Sequence, residues 1–299
     1  MIPYNKMFIA GANGMLGTTL QSMFDTEDYL LTDKDLSNSN NIVYCDIRDL
    51  EHTSKLVNEF KPDIILNFAA IVDLEYAEQE KDDCYLTNTI AAIHLFNLAK
   101  DLNVPYVFIS TAGIFGNDKE FYTEDDKPYP LSAYGKSKYY VEQLLQNQDY
   151  EKYWIFRAGW MMGGGPDKDK KFVNKIMKQI EAGAKELYVV DDKLGVPTYT
   201  KDFAYSIIRH IDENLPYGLY NMVSQGEASR YETAVAIKEH LNLDVVIHKV
   251  ESDHFKQEYF APRPYSEKLI NANLNKLDKN YMRTWKICLH EYLDEYFKK

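Results

Sequence analysis

The apolar run Met7-Phe8-Ile9-Ala10 passes directly into a turn with glycines at Gly11, Gly14 and Gly17, and Met15-Leu16 then opens a helix-like stretch. A strand that turns through glycines into a helix is the first half of a βαβ unit. Glycines there let backbone N–H groups approach an anion without interference from a Cβ, and the helix start adds a partial positive charge. The spacing therefore reads as a cradle for a pyrophosphate. A turn that merely closes a βα unit is the alternative.

The βαβ rhythm continues through the first half of the chain. Apolar runs at Phe8-Ile9-Ala10, Tyr29-Leu30-Leu31, Ile42-Val43-Tyr44, Asp63-Ile64-Ile65-Leu66 and Tyr106-Val107-Phe108-Ile109 alternate with helical periodicity over 50–60 and 85–102. Near-continuous apolar strands are what a parallel sheet covered on both faces requires. The expected fold is α/β, a Rossmann-type doubly wound parallel sheet. Beyond it lie a strand at Trp154-Ile155-Phe156, helices over 172–182, 201–213 and 231–241, and a strand at Leu187-Tyr188-Val189-Val190. At 299 residues the chain divides, on this reading, into a dinucleotide-binding domain over 1–157 and a smaller mixed α/β substrate domain over 158–299, with some segments interleaved back into the first. The polar stretch Ser37–Asn41 is expected to form a surface loop. The segment from Gly163-Gly164-Gly165-Pro166 to Lys171 looks flexible, either a linker or a loop over a site.

Charge and cysteine usage narrow the class. A formal net charge of −12 with no basic arm argues against binding a nucleic-acid backbone, so anionic ligands must be attracted locally, with Lys168, Lys170, Lys171 and Arg263 as candidates. Cys45, Cys84 and Cys288 are far apart and not at metal-ligand spacing, so neither a disulfide framework nor a metal site is expected. No apolar run approaches the length of a membrane span, and Met1–Lys6 lacks a signal-peptide core. A cytoplasmic protein with no membrane partner is expected, with a homodimer left open.

Tyr134 and Lys138 lie one helical turn apart at the head of the amphipathic stretch 139–146. A neighbouring ammonium favours the phenolate, so such a pair can exchange a proton with a substrate oxygen closer to neutral pH. With 24 tyrosines in the chain, chance supplies roughly two Tyr-x-x-x-Lys pairs, yet this is the only one. Upstream, Ser110 and Thr111 end a predicted parallel strand, at the carboxyl edge where open α/β sheets bind ligands. Ordinary strand-end capping is the alternative for these hydroxyls.

Together these motifs resemble the extended short-chain dehydrogenase/reductase family over most of the chain. The dTDP-4-dehydrorhamnose reductase-like members are the nearest in pattern, through Pro62-Asp63-Ile64-Ile65-Leu66-Asn67-Phe68-Ala69-Ala70, Arg157-Ala158-Gly159-Trp160, Lys171-Phe172-Val173, residues 190–198 and Arg263-Pro264. The resemblance implies a nucleotide-sugar substrate whose 4-keto group takes hydride from NADP(H) or NAD(H), in deoxysugar and surface-polysaccharide synthesis. By the same resemblance Tyr134 supplies the proton, Thr111 polarises the carbonyl, and Lys138 binds ribose and lowers the tyrosine pKa. Gly11, Asn13, Gly14, Met15, Leu16 and Gly17 would hold the cofactor, Asp46 and Ile47 would flank adenine, and Phe68, Ala69 and Ala70 would line its cleft. Ser110 and Trp160 would meet the sugar, with core packing as the alternative for the indole. Lys171, Phe172 and Arg263 would help hold the nucleotide diphosphate. Asp33 favours a ribose hydroxyl and hence NAD, whereas Lys34 suits a 2′-phosphate.

The chain also departs from the pattern. Such reductases commonly read Ser-Thr-Asp-Tyr-Val-Phe-Asp-Gly where this chain has Ser110-Thr111-Ala112-Gly113-Ile114-Phe115-Gly116-Asn117. Lys193 stands where glutamine is usual and Glu75 where aspartate is common. Ala112-Gly113 lacks the acid/base pair a sugar 4,6-dehydratase needs at this place. A nucleotide-sugar 4-epimerase, needing only Thr111, Tyr134 and Lys138, stays open. So does a catalytically silent binding subunit, since the beta subunit of methionine adenosyltransferase resembles the same subfamily.

Overall fold

The computed structural model describes residues 4–23, 28–37, 41–116 and 119–298. Asn38–Asn40 of the expected surface loop, Asn117 of the altered segment and Met1–Pro3 lie outside the described residues. The first half builds β1 (Met7–Ala10), α1 (Met15–Met23), β2 (Leu30–Asp33), β3 (Val43–Tyr44), α2 (Leu50–Phe60), β4 (Ile64–Asn67), α3 (Leu74–Gln79), α4 (Lys81–Tyr85), α5 (Ala92–Asp101), β5 (Tyr106–Thr111), α6 (Ala133–Gln146) and β6 (Tyr153–Ala158). The second half adds β7 (Trp160–Met162), α7 (Phe172–Glu181), β8 (Glu186–Val190), β9 (Leu194–Gly195), β10 (Pro197–Tyr199), α8 (Thr200–Asp212), β11 (Gly218–Met222), β12 (Ala228–Ser229), α9 (Arg230–Leu241), β13 (Val246–Val250), α10 (Ala272–Lys276) and α11 (Trp285–Tyr296).

Seven parallel strands form one sheet in the order β11-β6-β5-β4-β1-β2-β3. The chain reverses its direction of winding between β1 and β4, so a crevice opens at the carboxyl ends of those strands. Alternation along β1 explains why the strand reads as wholly apolar. Met7 and Ile9 face Leu16, Leu20, Phe203 and Ile207 of α1 and α8. Phe8 and Ala10 face the opposite layer, with Val57, Leu95, Phe96, Val141 and Leu145 from α2, α5 and α6. The short edge strand β3 of this sheet leaves its apolar side chains half in water, Val43 at 42% and Tyr44 at 52% exposure.

The second half does not stay apart from this sheet. Strand β11 pairs with β6, Tyr220 opposite Phe156, and α8 covers the same face as α1. The remaining segments build a smaller lobe on three two-stranded pairings, β7 with β10, β9 with β12 and β8 with β13. Its core joins Val173, Ile176, Leu187, Val189, Ile237, Leu289 and Tyr292 to Ala112, Ile114 and Phe115. The small residues after β5 are thus where the two lobes meet. Among the described residues no helix is long and apolar enough to cross a membrane.

Two local expectations need correction. The helix expected over 85–102 is interrupted, because Leu86–Ala91 is π-helical between α4 and α5. The widened turn presents Asn88, whose side chain accepts from the Ile71 N–H at 2.8 Å and donates to the Ile71 carbonyl at 2.9 Å and to Ser137 Oγ at 3.1 Å. The glycine segment 163–171 is packed rather than loose. Buried Asp169 accepts from Tyr292 Oη at 3.0 Å and from the Lys171 N–H at 2.7 Å, and Asn174 Nδ2 donates to the Pro166 carbonyl at 2.8 Å. Gly163, Gly164 and Gly165 all have positive φ, so glycine is needed to turn the backbone here, not to loosen it.

Candidate active site

The glycine turn is shaped by close backbone packing. Gly11 has φ +79°, and a Cβ there would stand 2.5 Å from the Ala69 nitrogen, so glycine lets the turn press against the chain leaving β4. Gly17 has the same purpose inside the helix layer, since its Cβ would meet the Ala12 carbonyl oxygen at 2.5 Å. Gly17 thus takes a packing position behind the turn, apart from the residues that line the cleft. Gly14 lines the cleft, and a Cβ there would stand close to the Gly11 carbonyl oxygen, at 3.3 Å. Helix α1 has no acidic side chain in its first turn, leaving its N–H groups available to an anion.

One continuous cleft of about 1170 Å³ runs from this turn across the sheet edge into the smaller lobe. Gly11, Asn13, Gly14, Met15, Leu16, Asp33, Lys34, Asp46, Ile47, Phe68, Ala69 and Ala70 line its first half. Both Asp33 carboxylate oxygens already accept backbone N–H bonds at 2.9 Å, from Asn13 and Asp35, whereas the exposed Lys34 carries its charge at the cleft wall. Asp46 is bound by Arg48 Nε at 2.9 and 3.0 Å. The glycine segment closes over this end, with Lys168 Nζ donating to Asn13 Oδ1 at 2.5 Å.

Ser110, Thr111, Tyr134 and Lys138 share the middle of the cleft wall. Helix α6 carries the tyrosine and lysine and is capped by Ser132, whose Oγ accepts from the Gly135 N–H at 3.0 Å. Ser110 Oγ is buried without a hydrogen-bond partner among the described residues, and Thr111 Oγ1 accepts from the Gly113 N–H at 3.1 Å. Burial pushes Tyr134 up to about 12, against a hydrogen bond with Thr111 that pulls it down, while the Glu267 charge adds to the rise. Burial draws Lys138 down to about 7, and its Nζ lies 4.4 Å from the centre of the Phe108 ring. The tyrosine therefore moves opposite to the sequence-based expectation. Desolvation of the phenol outweighs its neighbours, and the ammonium is directed at the Phe108 face.

At the far end Trp160 is held from three sides. Gly195 lies under the ring, where a Cβ would meet Cε2 at 2.3 Å; the Arg230 guanidinium stacks 3.7 Å from the ring centre; and Nε1 donates to Glu267 Oε2 at 2.6 Å. Trp160 lines the cleft. Arg230 also lies 5.0 Å from the Phe172 ring, and burial draws its guanidinium down to about 10. Lys171 heads α7 and is drawn down to about 8 by burial, helped by repulsion from Arg230; its Nζ reaches the Val72 carbonyl at 3.1 Å. Arg263 pairs with Glu75 at 2.8 Å and lines the same end. Asn88, Arg230 and Glu267 were missed by sequence reasoning. Only Arg230 carried a signal, as a basic residue at a helix start after the capping serine Ser229.

Comparison with known proteins agrees with this geometry. The family described as RmlD substrate binding domain matches residues 5–298. The spore coat polysaccharide biosynthesis protein SpsK of Bacillus subtilis is 32% identical, covering 97% of each chain. The crystal structure of dTDP-4-dehydrorhamnose reductase from Yersinia enterocolitica is 33% identical with a TM-score of 0.86, over 98% of this chain and 100% of that one. The Bacillus anthracis reductase, solved in complex with NADP, is 28% identical with a TM-score of 0.85, over 97% of this chain and 99% of the other.

Proposed function

This chain belongs to the RmlD substrate binding domain family, and on that premise we propose that it is an NADPH-dependent reductase of a nucleoside-diphosphate-linked 4-keto-6-deoxy sugar. The substrate that leads this reading is dTDP-4-dehydrorhamnose, which names the reductases this chain is similar to. The observation that carries it is the run of Thr111, Tyr134 and Lys138 along one cleft wall, between a helix start at the glycine turn with no acidic side chain in its first turn and the Arg230 guanidinium stacked on Trp160. A cleft of about 1170 Å³ has room for a dinucleotide and a nucleotide sugar end to end.

The residues present fit the cofactor. Gly14, which lines the cleft without a side chain, and the first N–H groups of α1 would take the pyrophosphate, and Lys34 a 2′-phosphate, since Asp33 is already engaged with the turn. When bound, NADPH supplies hydride to the C4 carbonyl carbon. Lys138 holds the ribose hydroxyls, Thr111 donates a hydrogen bond to the carbonyl oxygen, and the Tyr134 hydroxyl gives that oxygen its proton. Lys171, Arg230 and Arg263 hold the diphosphate, and the edge of Trp160 borders the hexose. The sheet lobe thus serves the dinucleotide and the smaller lobe the sugar nucleotide. We place this chemistry in the cytoplasm, in the supply of deoxysugar for surface polysaccharide; sedimentation of the purified protein reads whether it works as a homodimer.

The test mixes the protein with NADPH and a panel of dTDP-, UDP-, GDP- and CDP-linked 4-keto-6-deoxy sugars and follows loss of the reduced cofactor's absorbance. Stoichiometric NADPH consumption with at least one sugar is expected, together with its abolition in Tyr134→Phe at unchanged NADPH affinity. Sugar interconversion without net NADPH loss would make the protein an epimerase. No reaction with any sugar would leave a binding subunit.

A further inference from the structure

We propose that Glu267 is a specificity-determining residue for this reaction, accepting through Oε1 a hydrogen bond from the hydroxyl on C3, beside the carbonyl being reduced. The inference rests on the reductase reading and adds to it the part of the sugar that the cleft reads. Glu267 comes from the strand-like segment after Arg263, far in sequence from Thr111 and Tyr134.

The two carboxylate oxygens have different surroundings. Oε2 takes the Trp160 indole N–H at 2.6 Å, which fixes the plane of the carboxylate. Oε1 has no hydrogen-bond partner among the described residues and stands 3.3 Å from the position a Cβ on Gly113 would occupy. Thr111 Oγ1 is 3.4 Å from that same point. The carboxylate oxygen and the catalytic hydroxyl therefore both border the space a side chain on Gly113 would enter, and without that side chain nothing stands between them and the cleft they line. A carbonyl oxygen held by Thr111 and Tyr134 brings the neighbouring carbon's hydroxyl toward Oε1. In a 4-keto-6-deoxyhexose only C3 carries a hydroxyl next to C4, since C5 bears the ring oxygen and the methyl group.

The support for Glu267 is rigid. Its N–H donates to the Leu194 carbonyl at 2.8 Å and the Leu194 N–H donates to Tyr265 at 3.0 Å. The neighbours Ser266 and Lys268 are buried, the first bonded to the Glu120 carbonyl at 2.7 Å and the second paired with Glu120 and Glu227. Arg230 feels the Glu267 charge but stacks on Trp160 instead of pairing with it. An anionic acceptor on a fixed backbone, left without a cation in contact, suits a neutral donor from the ligand.

The experiment is a double-mutant cycle between protein and ligand. Wild type, Glu267→Gln and Glu267→Ala are assayed with dTDP-4-dehydrorhamnose and its 3-deoxy analogue, and titrated calorimetrically with dTDP and with dTDP-rhamnose. In Glu267→Ala, kcat/KM for the 3-hydroxy sugar is expected to fall about tenfold to a hundredfold, mostly through KM, with Glu267→Gln in between. The 3-deoxy sugar is expected to lose clearly less in Glu267→Ala than the 3-hydroxy sugar, because its loss reports only the freed Trp160 indole and not a missing hydroxyl contact. Affinity for dTDP and for NADPH stays at the wild-type value in both variants, which also reports folding. An equal loss with both sugars, or unchanged kcat/KM with the 3-hydroxy sugar, overturns the proposal. If wild type consumes NADPH with none of the nucleotide-linked 4-keto-6-deoxy sugars, the reductase reading itself fails and this inference falls with it; that outcome is distinct from a loss confined to the variants.

Discussion

Burial acts in opposite senses on Tyr134 and Lys138, and their division of labour follows from it. Raised to about 12, the phenol keeps its proton across the working pH range and has it available for a developing alkoxide. Lowered to about 7, the Lys138 ammonium is only partly charged at neutral pH. A ligand that presents ribose oxygens and phosphates favours the charged form, so cofactor binding must take up a proton wherever the free lysine is neutral. NADPH affinity is therefore expected to fall as pH rises from 7 to 9. Calorimetry at pH 8 in buffers of different ionisation enthalpy should report proton uptake that Lys138→Met abolishes. A pH-independent affinity with no uptake would remove the ammonium from the cofactor site. The Tyr134–Lys138 spacing was legible in the chain because both residues lie on one helix. The sign of the tyrosine shift was not, because desolvation depends on what closes over the phenol from other elements.

Helix α6 is the element that carries both groups, and its position depends on a buried ion pair. Arg157 of β6 donates from Nε to Glu142 Oε1 at 3.0 Å and from Nη2 to Oε2 at 2.7 Å, and both side chains are almost wholly buried. Glu142 lies one turn beyond Lys138, so the pair locks the catalytic face of the helix to the sheet. Glu142→Ala leaves a buried guanidinium uncompensated and is expected to cost about 3–5 kcal/mol in urea unfolding. A loss below about 1 kcal/mol would mean that α6 is held by its apolar contacts alone. Element identity was readable here from amphipathic spacing, and the strands from their apolar runs, to within a residue or two at most ends. The π-helical turn at 86–91 was not readable, since it answers to Asn88 bonding Ile71 and Ser137 across three elements. Likewise the glycines at 163–165 suggested mobility, whereas their positive φ serves a packed segment tied down by Asp169 and Asn174.

Across the whole molecule, an acidic chain of net charge −12 places Lys34, Lys168, Lys170, Lys171, Arg230 and Arg263 along the large cleft, beside carboxylates such as Asp46, Glu75 and Glu267. Attraction of an anion is therefore local to these cations and to the start of α1, against the overall field of the chain. The sheet order, with its reversal between β1 and β4, sets the cradle at one end of this cleft, while the small residues after Thr111 let the second lobe close over the other. The first half of this architecture could be read from alternating apolar runs and helical periods. The return of α8 and β11 to the sheet, and the meeting of Glu267 with Gly113, are long-range pairings that local periodicity does not encode. The central claim is that hydride crosses from the cradle end to a sugar carbonyl at Thr111 and Tyr134. It is tested most directly by supplying NADPH deuterated at the reactive nicotinamide position with a dTDP-linked 4-keto-6-deoxy sugar and locating the label in the product by NMR. One deuterium on C4 of the hexose is predicted; a product without deuterium at C4 would contradict the account.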